Sequence, residues 1–169
     1  MTPTLNKSLN VICAWIDQTP LSQAIQVTNW VVPTVQAVHI AAIALVASSA
    51  LMIDLRLLRV FGADQPAKAV LSRFLPFVWW PMIVLLATGV IMIVGEPARS
   101  LKNPAFQLKM ALLITALIVT AVVQLLVRRN PKFADKGARR RGAAAAIAVA
   151  SMLLWACIIF AGRWIAYYA

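Results

Sequence analysis

Four long apolar stretches dominate the chain, and they leave it very few ways to fold. They lie at about 31–53, 74–95, 106–127 and 143–162, with charged residues almost confined to the segments between them. Each has roughly the 20 residues that a helix rising about 1.5 Å per residue needs to cross about 30 Å of hydrocarbon. In lipid every backbone N–H and C=O must be satisfied internally, so such segments span as helices. Charged residues make up 12% of the chain, against about 25% in an ordinary soluble domain. The expected fold is therefore all-α: an integral membrane four-helix bundle, one domain over residues 1–169, with the lipid bilayer as its first partner.

Residues 1–29 are too polar to span and form an outward-side interfacial segment. Asn6, Lys7, Asn10, Asp17, Gln18 and Gln23 interrupt it, and no basic start leads into a pure apolar core, so it does not read as a cleaved signal. Leu5, Leu9, Ile12 and Ile16 recur at helical spacing with Cys13 beside them, and Thr19-Pro20 breaks the pattern. A short amphipathic interfacial helix is expected there. Leu21 to Thr28 forms a further turn or two before Trp30, an anchor residue at the interface.

Charge sets the orientation. Arg56, Arg59, Lys68 and Arg73 follow the first span, and Arg128, Arg129, Lys132, Lys136, Arg139, Arg140 and Arg141 follow the third. The other side holds Lys7, Arg99, Lys102 and Arg163, with Lys109 just inside the third span. The positive-inside rule then places both termini outward, in the periplasm for a protein of the bacterial inner (cytoplasmic) membrane. It also accounts for the net charge of +11 without a nucleic-acid partner, since only Phe133 interleaves the basic run.

His39, the single histidine, lies about eight residues into the first span, roughly 12 Å below its outer end. An ionisable ring at that depth marks a site by default, or else is satisfied by Gln36 or a carbonyl of a neighbouring helix. Lys109, Met92 and Cys157 fall at a comparable level. Lys109 is also placed to snorkel to the interface, and Met92 and Cys157 to serve as packing. Ala37, Ala41, Ala44 and Ser48 form a small-residue stripe opposite His39, for which Gly142, Ala146 and Ala150 of the fourth span are the expected partner. Asp54 with Arg56 reads as an interfacial ion pair or helix-end feature. No phosphate loop, zinc spacing or Ser/His/Asp set occurs.

The segments Trp30-Val31-Val32-Pro33, Asp54-Leu55-Arg56-Leu57-Leu58, Thr88-Gly89, Gly95-Glu96-Pro97, Asn103 to Lys109 and Ala161 to Tyr167 resemble an uncharacterised family of bacterial four-helix membrane proteins across nearly the whole chain. The first-span histidine, the Arg-containing exit, the Pro and Gly of the second span and the Phe-x-x-Lys start of the third are more distantly similar to the HemJ-type protoporphyrinogen oxidase and the CopD-type copper-resistance domain. The HemJ-type resemblance implies haem b held by a first-span His and a third-span Lys, here His39 and Lys109, with a quinone or porphyrin as partner. That family usually carries further histidines, which are absent here.

Met92 is the other candidate for a second axial ligand, and Lys109 would have to be the neutral amine to serve. Arg163 or Arg99 suits the haem propionates. Trp155, Trp79 and Trp80 are candidates for an apolar wall. Two other readings stay open: a copper-handling or transport protein using His39, Met92 and Cys157 as soft ligands, and a non-catalytic structural subunit of a homo-oligomer or larger membrane complex.

Overall fold

The computed structural model describes residues 3–130 and 138–164, and all its regular elements are helices. In chain order they are α1 (Pro3–Asp17), α2 (Pro20–Val27), α3 (Val31–Leu57), α4 (Ala67–Phe74), α5 (Pro76–Gly95), α6 (Pro97–Leu101), α7 (Pro104–Arg129) and α8 (Ala138–Trp164). Among the described residues four helical stretches are long and apolar enough to cross a membrane: α3, α4 with α5, α7 and most of α8. Lys132, Phe133 and Lys136 of the expected basic loop and the closing Ile165 to Tyr167 lie outside the described residues, as do the side chains of Leu5, Asn6, Lys7, Arg139 and Arg140.

The helices run past the apolar stretches at several ends. α3 continues through Asp54-Leu55-Arg56, whose Asp54 and Arg56 are buried in the bundle, and α7 through Arg128-Arg129, whose long side chains are exposed. Starts are marked by local chemistry. Thr19 caps α2 by accepting from the Ser22 N–H at 3.3 Å, and Asn103 caps α7 by accepting from the Ala105 N–H at 2.9 Å. Pro20, Pro76 and Pro104 occupy first-turn positions, where a missing N–H costs nothing.

α3 ends in a Schellman turn. The Val60 N–H donates to the Leu55 carbonyl and the Arg59 N–H to the Arg56 carbonyl, both at 3.0 Å, with Arg59 at φ 62°. This turn leads the chain into α4 at the bundle end that carries Arg56, Arg59, Lys68, Arg73, Arg128, Arg129 and Arg141, called here the basic end. α1, α2 and α6 cover the opposite, capped end.

α3 is the central helix, packed against α5 on one side and α8 on the other, and α8 in turn carries α7. α5 and α7 would have to meet to close the ring; among the described residues they touch at most marginally, and only α4 and α6 bridge towards α7 at the two ends. The core consists of Ala42, Val46, Ala50, Ile53 and Leu57 of α3, Ala67 and Leu71 of α4, Val78, Met82 and Leu85 of α5, Ala116, Val123 and Val127 of α7, and Ala144, Ala148, Trp155 and Ile158 of α8.

This arrangement corrects the expected small-residue seam. Ala37, Ala41, Ala44 and Ser48 are exposed, as are Gly142, Ala146 and Ala150. α3 and α8 instead present Ala42, Ala50, Ala144 and Ala148 to the core. The reason is polarity: the α3 face that turns inward also carries His39 and Asp54, and polar groups left in hydrocarbon cost far more than exposed alanines.

Candidate functional site

His39 sits on the packed side of α3, one turn before Ala42, and reaches across to α5. Its Nδ1 lies 2.7 Å from Thr88 Oγ1, and the Thr88 hydroxyl lies 2.7 Å from the Val84 carbonyl and 3.2 Å from that of Leu85. With the single Thr88 proton given to a helix carbonyl, its oxygen accepts from His39 Nδ1–H, the tautomer that leaves the Nε2 lone pair free. The expected partner Gln36 is exposed and plays no such part.

Two glycines shape the surroundings. A Cβ added at Gly89 would stand 3.8 Å from His39 Cε1, so the bare backbone of α5 flanks the imidazole. A Cβ at Gly162 would stand 3.6 Å from Lys109 Nζ and 3.7 Å from its Cε, so Lys109 lies along α8. Trp155, two turns along α8 from Gly162, is buried, and its Nε1–H has no acceptor among the described residues.

The structure separates the other candidates. Met92 is half-buried one turn from Thr88 on the same face of α5. Cys157 is exposed, off the packed face formed by Trp155, Ile158 and Ala161, so the soft-ligand set is not gathered on one face. Cys13 is also a free thiol; it is buried at the capped end and donates to the Pro97 carbonyl at 3.6 Å. Arg99 is exposed and pairs with Glu96 at 2.9 Å, while Arg163 is exposed beside Gly162. Trp79 and Trp80 are exposed near the start of α5, about 12 Å or more along the helix from Thr88, and do not wall this site.

Asp54 and Arg56 lie at the end of α3, in line with the helix-end reading, and both are buried. The Arg56 side chain is buried, and its Nε and Nη2 donate to the Gln65 carbonyl in the α3–α4 connection. Asp54 is buried and faces Ser151 of α8. The sequence reading missed Thr88 and Ser151 as partners. The signals were a lone hydroxyl within each apolar span and, for Thr88, its place in the Thr88-Gly89 segment, but helices commonly satisfy such hydroxyls through their own carbonyls.

Among the described residues no three of His, Cys, Asp and Glu converge. A metal held at His39 would take its remaining ligands from elsewhere, as a macrocycle allows. The donor set fits that: one imidazole held by Thr88, with glycine backbone beside it.

Residues 15–168 match a family of unknown function, DUF6644. No curated protein and no solved structure matches the chain, so the likeness to HemJ-type and CopD-type proteins rests on short motifs alone.

Proposed function

The chain belongs to this family of unknown function, and from that starting point we propose that it is a haem b-binding integral membrane protein with an electron-transfer or oxidoreductase role. The observation that carries the reading is the 2.7 Å contact between His39 Nδ1 and Thr88 Oγ1. Metal-bound histidines commonly donate their second N–H to a fixed acceptor, which sets the tautomer and aims the ligating nitrogen.

When bound, haem supplies one-electron chemistry at its iron. The residues do the rest. His39 would hold the iron through Nε2, with Thr88 fixing the ring and the Gly89 backbone flanking it. Lys109, as a neutral amine, or Met92 would be the second donor. Arg163 at the capped end suits a propionate, and Arg99 would exchange Glu96 for one, since guanidinium groups pair with carboxylates in a fixed geometry.

The electron partner in this reading is a quinone or porphyrin reached from the bilayer. The basic end faces the cytoplasm of a bacterial cell and both termini face the periplasm, in line with the positive-inside rule.

The test is an absorption spectrum of protein purified in detergent, with metal analysis alongside. A Soret band in wild type that is lost in His39→Ala is the expected result. No Soret band, or a band unchanged in His39→Ala, overturns the reading; copper without haem would favour the soft-metal alternative.

A further inference from the structure

The second polar feature inside the bundle lies far from His39. Asp54 is fifteen residues further along α3, a rise of roughly 22 Å, close to the basic end. Its side chain is 97% buried (3% exposed), and Oδ2 has no hydrogen-bond partner among the described residues. A carboxylate oxygen left unsatisfied within a membrane bundle is costly and calls for a physical explanation.

Asp54 borders a small cavity of about 10 Å³ where α3, α4, α7 and α8 meet. Leu71, Ile53 and Val123 supply apolar walls, and Thr120 of α7 and Ser151 of α8 supply hydroxyls. The Thr120 Oγ1–H donates to the Ala116 carbonyl at 2.9 Å, which leaves its oxygen free to accept. No cationic side chain among the described residues lines the space. Arg56 is two residues on, but its Nε and Nη2 are turned to the Gln65 carbonyl.

We propose that Asp54, Thr120 and Ser151 form a sodium site joining α3, α7 and α8. The donors are all oxygen, which suits a hard cation and not a soft one. One carboxylate balances one positive charge, whereas a divalent ion would leave net charge buried in a hydrocarbon setting. The cavity of about 10 Å³ has room for a single water-sized occupant, so a cation held beside Asp54 must shed most of its hydration shell. The negative end of the α3 dipole lies within a turn and adds to the attraction. The site is independent of haem.

The experiment is thermal unfolding of the purified full chain in sodium chloride, potassium chloride and choline chloride at matched ionic strength and pH. A transition temperature that rises saturably with sodium, but not with potassium or choline, supports the proposal. Ser151→Ala and Thr120→Val keep the carboxylate and should each move the half-saturating sodium concentration upward by about tenfold, and Asp54→Asn should remove the dependence. If Asp54→Asn does not fold, the Ser151 and Thr120 variants decide. Equal stability in the three salts, meaning a cavity that holds water only, overturns the proposal. A response to pH without one to sodium, or a sodium effect unchanged in these variants, does the same.

Discussion

Removing the Thr88 hydroxyl while keeping its shape isolates the contact on which the His39 site depends. In Thr88→Val the His39 Nδ1–H loses an acceptor at 2.7 Å, and the helix carbonyls of Val84 and Leu85 lose only a redundant donor. A typical net hydrogen bond contributes about 0.5–1.5 kcal/mol, but a buried donor left unpaired costs about 1–3 kcal/mol. His39 is half-buried, so a loss near 1–2 kcal/mol is expected in detergent unfolding experiments. Haem affinity should fall by about 10–100-fold, as for other partners of ligating histidines, equivalent to about 1.4–2.7 kcal/mol. Thr88→Ser retains the oxygen and should restore most of both.

The assay is haem titration of the purified apo-protein followed at the Soret band, run beside thermal unfolding of the same samples. Haem affinity in Thr88→Val equal to that of wild type would refute the orienting role of Thr88. Equal losses in Thr88→Val and Thr88→Ser would do so too, since the serine keeps the acceptor.

Other expected outcomes test the packing. Ala42 is buried and Ala41 exposed, so Ala42→Leu should overpack the α3 core and destabilise by about 1–3 kcal/mol, while Ala41→Leu should be tolerated; thermal melts in detergent distinguish them, and the reverse order would mean that α3 packs through its alanine stripe. Arg59 adopts a left-handed conformation at the end of α3, so Arg59→Gly should raise stability by about 1 kcal/mol in the same melts, and a decrease would show that the arginine side chain outweighs its backbone strain. A Cβ at Gly95 would meet Ile25 Cγ2 at 3.0 Å, so Gly95→Ala should loosen α2 and speed limited proteolysis near Thr19-Pro20; removing that methyl with Ile25→Leu should slow it again.

Much of the site was legible one residue at a time. A lone histidine and a lysine in apolar spans announce themselves by type, because the cost of placing such groups in hydrocarbon depends on the group. Their partners did not announce themselves. Thr88 and Ser151 are ordinary residues of membrane helices, and become meaningful only because one lies against His39 and the other against Asp54. Cys157 shows the converse: it shares a level with the histidine by sequence position, but the rotation of α8 turns it away.

What the sequence determined by itself is what hydrocarbon demands of any chain: four helices long enough to span, an amphipathic lead-in broken at Thr19-Pro20, and a heavy excess of cations at one end of the bundle. These follow from local composition, since backbone satisfaction and apolar length act on each segment separately. Only the tertiary structure decided how each helix is rotated and which pairs meet. Leu, Ala and Val cost nearly the same facing lipid or another helix, so the apolar pattern carries little rotational information. The few polar groups settled it: His39 and Asp54 turned α3 inward on one face, and the alanine stripe was left outside.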